Sequence, residues 1–376
     1  MLFLISELPA DYTRVIESID ALRRRLNYFL QQQPRRWTGL LRRSTFARAI
    51  QGSNSIEGYH VTVDDAIAAV EGEEPLDERT EAWAAVQGYR NALSYILQLA
   101  GDPYFSHNEG TLRSLHYMML SYDHGRRPGL WRPGAIYVRR DPTGEVVYEG
   151  PPAEQVPGLV AELVDSLNVS STLPVMVRAA LAHLNLVMIH PFSDGNGRMA
   201  RALQTLVLSR EGLLDPTFSS IEEFLGHNTE AYYAVLAEVG QGAWHPERDP
   251  LPWIRFCLTA HYRQAETLLR RTNELERLWN LLEEELKRRD LNERLLMALS
   301  DAAIGYRVRN ATYRSAASVS EQVASRDLAL LVEQGLLVAK GERRGRYYVA
   351  SEWLQTTRDS IRSPKTFTDP FSGNAA

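Results

Sequence analysis

Apolar residues recur at spacings of three and four along most of the chain, while strand-like runs are confined to two short stretches, so the pattern predicts a mainly α fold. Over residues 11–33, Val15, Ile16, Ile19, Leu22, Leu26 and Phe29 form the stripe of an amphipathic helix. A more polar helix over 44–58 ends at Gly58, and a short one follows from Val63 to Val70. Trp83, Val86, Tyr89, Leu93 and Ile96 mark another over 81–99. Further helices are predicted over 111–121, 159–167, 175–189, 199–210 and 228–239. The segment 175–189 is apolar nearly all round, as a helix at the centre of a domain must be. Residues 252–286 form a long helical pattern with room for breaks, in which Leu268, Leu275 and Leu282 recur every seven residues beside Leu278. That repeat fits a helix packed on the main domain or a coiled-coil dimer seam, and three repeats without an e/g charge pattern favour the first.

The β-rich stretches stand apart. Residues 129–138 and 139–148 read as two arms of a hairpin around the turn Asp141-Pro142-Thr143-Gly144. A separate small module is predicted from Glu293: helices over 293–299, 308–317 and 321–333, the last capped by Ser320 and stopped at Gly335. A second hairpin of 336–340 and 346–350 follows, which is the element order of a winged helix-turn-helix. From Thr356 the chain is polar with two prolines and reads as a disordered tail. The resulting division is an N-terminal helical cap (1–100), a core (101–260), a connecting helix (261–290), the winged module (291–355) and the tail (356–376).

With 376 residues, 44% hydrophobic and 24% charged, the chain has globular proportions, which exclude collagen, wholesale disorder and a disulfide scaffold. Its one cysteine, Cys257, fits a reducing compartment. A net charge of −5 gives no general affinity for nucleic acid. Locally, Lys340, Arg343, Arg344 and Arg346 on the wing, with Arg309, Arg314 and Arg326 on the helices before it, could meet a DNA backbone, protein docking or dimerisation being the alternative. The apolar run at Met1–Ile5 lacks a basic flank, and 179–189 is interrupted by His183 and Asn185, so neither an export leader nor a membrane span is predicted and a cytoplasmic protein is expected.

The chemistry gathers in His190-Pro191-Phe192-Ser193-Asp194-Gly195-Asn196-Gly197-Arg198-Met199-Ala200-Arg201. A buried helix delivers His190 at its end, a glycine-rich loop follows, and a new helix opens with two arginines three residues apart on one face. Glycines let backbone N–H groups approach a ligand, and a helix N-terminus favours an anion. Amides and two guanidiniums suit a polyphosphate. Asp194 is a hard oxygen ligand for the Mg²⁺ that accompanies phosphates, and His190 can act as a general base. His183, one buried-helix turn pair earlier, reads as a core histidine rather than a second base.

These twelve residues fill every fixed position of the pattern His-x-Phe-x-[Asp/Glu]-Gly-Asn-Gly-Arg-x-x-Arg, and the chain is thereby identified as a member of the Fic family, with resemblance from about residue 1 to 355. What this implies is a helical Fic core with a β-hairpin flap, and a protein adenylyltransferase moving AMP from ATP to a Ser, Thr or Tyr hydroxyl. His190 would deprotonate the hydroxyl, and Asp194 would hold Mg²⁺. Asn196 and the amides of Gly195 and Gly197 would form the anion hole. Arg198 would neutralise the α- and β-phosphates and Arg201 the γ-phosphate. Tyr232 and Tyr233, in a stretch resembling the adenine pocket, would stack on the base or else simply pack. Ile136 and Val138 on the flap would align the target by main-chain pairing. Family members that phosphorylate instead carry Ala and Lys where Gly195 and Gly197 stand, so both glycines favour AMP transfer. Removal of AMP, and a DNA-binding regulator whose core only senses nucleotide, are the alternatives. Ser53-Asn54-Ser55-Ile56-Glu57-Gly58 also matches the inhibitory motif [Ser/Thr]-x-x-x-Glu-[Gly/Asn] of self-blocked members, which implies that Glu57 pairs with Arg201. Self-modification and a homodimer are further expectations of that resemblance.

Overall fold

Local caps set the ends of several helices. The structure, a computed structural model, describes all residues except 33–36, 74–79, 141–142, 211, 213–215, 343–344, 367 and 373–376. It opens with α1 (Ala10–Gln32), α2 (Trp37–Ile56), α3 (Val63–Glu71) and α4 (Glu81–Ala100). A capping box between Thr62 and Asp65 begins α3, and Gly72 ends it in the left-handed region. After α5 (Glu109–Leu120), capped by Asn108, come β1 (Tyr137–Arg140), β2 (Glu145–Glu149), α6 (Val156–Asn168), α7 (Val175–Ile189) and α8 (Asn196–Ser209). Then follow α9 (Glu222–His227), α10 (Thr229–Gly240), β3 (Gly242–Ala243) and the 38-residue α11 (Leu251–Arg288). The chain finishes with α12 (Leu296–Ala303), α13 (Asn310–Ala317), α14 (Glu321–Glu333), β4 (Leu337–Lys340), β5 (Tyr347–Ala350) and α15 (Glu352–Ser360). Among the described residues no helix is long and apolar enough to cross a membrane.

Helix α7 is the axis of the fold. Its residues divide between two cores: Leu181, Leu186 and Ile189 pack with α4, α5, α6 and α8, while Ala180, Leu184 and Met188 pack with α10 and α11. The amide of Asn185 binds the backbone of Phe3 in both directions, at 2.8 and 3.1 Å, which fastens the N-terminus along α7. A third core joins Leu26 of α1, Trp37 and Leu41 of α2 and Leu268, Leu275, Leu278 and Leu282 of α11 to Leu296, Leu299, Leu328 and Leu336. The heptad leucines therefore pack inside this chain.

Several sequence expectations change here. The long pattern over 252–286 contains no break, and the boundary expected at 260/261 lies inside α11, whose Pro252 sits in the first turn where a missing N–H costs nothing. The C-terminal module is not separate, because its apolar side shares the third core with α1, α2 and α11. The chain beyond Thr356 is not a disordered tail in its described part: α15 runs through that boundary, Ile361 is buried, and Phe371 lies under Arg255 at 4.0 Å. The first hairpin is shorter than expected, since 129–136 is irregular around Pro133 and Gly134. Its strands pair antiparallel with a register shift at Val138/Arg139, and the two-residue β3 adds in parallel to β2. Asp141 and Pro142 of the expected turn, and Arg343 and Arg344 of the wing, fall outside the described residues.

Candidate active site

The site begins where α7 ends. His190 adopts a left-handed conformation (φ 52°) and its N–H reaches Leu186 O at 3.0 Å, closing the helix. Its Nδ1 lies 3.0 Å from Val187 O; a carbonyl only accepts, so Nδ1 carries the proton and Nε2 keeps its lone pair. Burial lowers the pKa of His190 from its ordinary value, which keeps the ring neutral near pH 7.

The loop that follows is held from both sides. Asn196 Oδ1 accepts from Phe192 N–H and its Nδ2 donates to Phe192 O, both at 2.9 Å, so this side chain staples the loop and keeps one N–H of Nδ2 beyond those bonds. Phe192 is buried and stacks on His116 with ring centroids 3.6 Å apart. Gly195 has φ 74°, and a Cβ there would stand 2.8 Å from Leu120 Cδ1, so both conformation and space require glycine. Asp194 Oδ1 accepts from Gly195 N–H at 2.7 Å, and its side chain is 40% exposed.

Helix α8 then presents the cations. Arg198 is 1% exposed, and its Nε and Nη1 have no hydrogen-bond partner; the guanidinium lies 5.3 Å from the Tyr59 ring. Arg201 is equally buried. Its Nε donates to Ser53 Oγ (2.8 Å), and its Nη2 to Ser53 O (3.0 Å) and Glu57 Oε1 (2.6 Å), while Nη1 has no partner. Glu57 comes from the turn closing α2, where Glu57 N–H meets Asn54 O and Gly58 has φ 82°. Its carboxylate lies over the first turn of α8: a Cβ at Gly197 would collide with Glu57 Oε1. The close crossing of α2 and α9 sets this placement. A Cβ at Gly52 would stand 2.5 Å from Glu222 O.

Three residues that sequence reasoning missed complete the arrangement. His116 places Nε2 2.9 Å from Asp194 O and Nδ1 2.8 Å from Gly129 N, so Nε2–H donates and Nδ1 accepts. Burial pushes its pKa down to about 4. Arg132 clamps the flap to the loop through Nε to His190 O (2.8 Å), Nη1 to Gly134 O (2.6 Å) and a contact with Pro151 O. Glu222 is buried behind Arg201, accepts from Thr205 Oγ1 at 3.0 Å, and burial raises its pKa to about 7. No local pattern marks these residues, because each acts through a contact distant in sequence.

The remaining expectations divide. Tyr232 is buried with its hydroxyl 3.0 Å from His183 Nε2, and its ring lies under Arg201 at 6.0 Å, so it supports the arginine and offers no open face to a base. Tyr233 is 48% exposed and donates to Ile56 O at 3.3 Å. His183 is a core histidine bonded to Gln204 and Tyr232. Ile136 precedes β1 rather than lying in it, Val138 leans on the core that α7 shares with α10 and α11, beside Tyr148, and β1 is an edge of the sheet. In the C-terminal module Arg309 pairs with Glu73 and Arg314 with Glu321, while the exposed face of α14 mixes Arg326 with Glu321 and Glu333. No group of three or more His, Cys, Asp or Glu gathers for a metal among the described residues. Asp194 is a single carboxylate, which suits an ion such as Mg²⁺ that takes most of its ligands from water and substrate phosphates.

Residues 106–208 match the Fic/DOC family. The chain is 40% identical over 99 residues to the protein adenylyltransferase fic-1 of Caenorhabditis briggsae, covering 26% of this chain and 17% of that protein. It is 26% identical over 244 residues to the protein adenylyltransferase Fic of Nematostella vectensis, covering 61% of this chain and 50% of that protein. It thus spans half or less of the length of these relatives. A Fic family protein from Desulfovibrio desulfuricans G20 superposes with a TM-score of 0.60 over 92% of this chain and 97% of that one, at 21% identity, which establishes a shared fold.

Proposed function

Because this chain belongs to the Fic/DOC family through its domain at residues 106–208, we propose that it transfers AMP from ATP to a hydroxyl side chain of a protein and that Glu57 restrains the reaction. The observation that carries this reading is the pair of buried guanidiniums, Arg198 and Arg201, with unpartnered N–H groups at the start of α8, one loop away from the free Nε2 of His190. Unpaired buried donors are costly unless a ligand uses them. A triphosphate supplies the acceptors.

In this reading the amides of Gly195 and Gly197 and the Arg198 guanidinium receive the α- and β-phosphates, and Arg201 takes the γ-phosphate. Asp194, with the phosphates, would hold Mg²⁺, which supplies neutralising charge when bound. Nε2 of His190 accepts the proton of the target hydroxyl as its oxygen bonds to the α-phosphorus. The bond from that phosphorus to the α,β-bridging oxygen breaks, and pyrophosphate leaves. Phosphoryl-group chemistry of this kind rests on positioning and charge neutralisation, so few side chains suffice. The free edge of β1 can align an extended target segment, a role for the backbone of Ile136 and Val138 rather than their side chains.

Glu57 acts against this. Its carboxylate occupies Arg201 and overhangs Gly197, placing negative charge where a terminal phosphate would lie and turning the α-phosphorus away from in-line attack. The test is transfer from α-labelled and γ-labelled ATP to protein in lysate and to the chain itself. Label should come from the α position alone. Glu57→Gly should raise it by at least about tenfold, and His190→Ala should lower it by about 10²–10⁴ while nucleotide still binds. Label from the γ position alone means phosphorylation and overturns the reading, and an unchanged rate in folded Glu57→Gly removes the restraint.

A further inference from the structure

Asp194, the one acidic side chain of the loop, already has a cation. Its Oδ2 is 2.8 Å from Arg126 Nη1, and its Oδ1 is engaged by Gly195 N–H, so each oxygen already has a partner. Arg126 reaches it from the end of the turn at His124–Arg126 and is gripped by other partners: Asp123 Oδ2 at 2.9 Å from Nε, Glu81 Oε1 against Nη2, and the Tyr59 hydroxyl at 2.5 Å from Nη1. Its guanidinium also lies 5.8 Å from the Tyr122 ring. One guanidinium thus faces three carboxylates. Losing Asp194 leaves it Asp123 and Glu81, so it has somewhere to go.

Tyr59 ties this grip to the restraint described above. It stands two residues after Glu57, across the turn at Gly58, and its N–H bonds Asn54 O at 3.0 Å. Its hydroxyl holds Arg126 while its ring lies under Arg198. The same turn therefore delivers Glu57 to the phosphate arginine Arg201 and Tyr59 to the arginine on Asp194.

We propose that Arg126 is an internal counter-ion of Asp194 which a divalent cation must displace before it can bind beside a nucleotide, and that Tyr59 holds Arg126 in place. This rests on the assignment of Asp194 and Arg198 to a nucleotide–cation site. A guanidinium bonded to a carboxylate oxygen and a divalent ion on the same oxygen repel each other at contact distance, where little solvent stands between them. Binding of the ion and release of Arg126 are then one equilibrium, and every partner of Arg126 biases it.

The test is calorimetric binding of ADP to the full chain, with EDTA or with Mn²⁺. ADP lacks the γ-phosphate that Glu57 opposes, and it is no AMP donor in the proposed reaction, so the readout is independent of activity. In the unaltered chain Mn²⁺ should tighten ADP by no more than about threefold, and in Arg126→Ala by about tenfold beyond that. Arg126→Gln, which keeps donors for Asp123 and Glu81 without the charge, should move the same way and guards against a folding defect in the alanine variant. Tyr59→Phe keeps the ring under Arg198 and should give an intermediate gain. Asp194→Asn added to Arg126→Ala should abolish the gain. A Mn²⁺ effect in both Arg126 variants within about twofold of the unaltered chain overturns the proposal. If the gain survives Asp194→Asn, the cation is not at Asp194, and if ADP binds to no variant, the nucleotide site is wrong; either result overturns the function reading and this inference together.

Discussion

His116 shows how one side chain can set a whole loop. It stacks on Phe192, donates to Asp194 O and accepts from Gly129 N–H, linking α5, the flap and the glycine loop. Phenylalanine at this position would keep the stack and lose both bonds, leaving a buried N–H and C=O unpaired. His116→Phe should therefore cost about 2–4 kcal/mol at pH 7, measured by urea unfolding. The pH dependence has a definite sign. Burial lowers the pKa from 6.5 to about 4, so between those values the unfolded chain binds a proton that the folded chain refuses. Stability is lost as pH falls through that window. His116→Phe lacks this loss, so its deficit should shrink by about 2 kcal/mol between pH 7 and pH 5. A constant deficit would mean that His116 titrates normally in the folded chain.

At the scale of elements, the decisive contact is the crossing of α2 with α9. Gly52 and Gly226 let the two backbones meet: a Cβ on Gly226 would stand 2.6 Å from Gly52 Cα. One residue beyond Gly52, Ser53 binds Arg201 through its hydroxyl and carbonyl. Gly52→Ala should push the end of α2 away from α9, costing about 1–3 kcal/mol and loosening Ser53 and Glu57 from Arg201. The expected result is a lower thermal midpoint together with faster AMP transfer. Lost stability with an unchanged rate would show that Glu57 holds Arg201 without help from the helix crossing. The sequence made a polar helix ending near Gly58 legible, but not its start at Trp37 nor this crossing, because a glycine in a polar helix carries no local signal of the partner it admits.

In the whole molecule the C-terminal module and the N-terminal helices form one body. Arg43 of α2 pairs with buried Asp301 of α12 and with Glu71 at 3.2 Å, Tyr306 donates to Ser44 at 2.6 Å, and Arg307 meets Asp64. Removing one member of such a pair strands the other, so Asp301→Ala should cost about 3–5 kcal/mol. Calorimetry should show a single unfolding transition that shifts to lower temperature in the variant; two separate transitions in the unaltered chain would contradict the shared core. What the sequence by itself determined is mostly local: helix periods, the C-terminal hairpin, the caps at Ser320 and Gly335, and the ordering of histidine, aspartate and arginines within His190–Arg201. Those depend on residues a few positions apart, and their spacing is their geometry. Only the tertiary structure decided that Asn196 serves the loop and Tyr232 the arginine, that Arg126 covers Asp194, and that the last helix and Phe371 lie against the rest. These are contacts between segments far apart in the chain, chosen by which buried charges and faces remain unsatisfied once the helices have packed, and no local pattern records that choice.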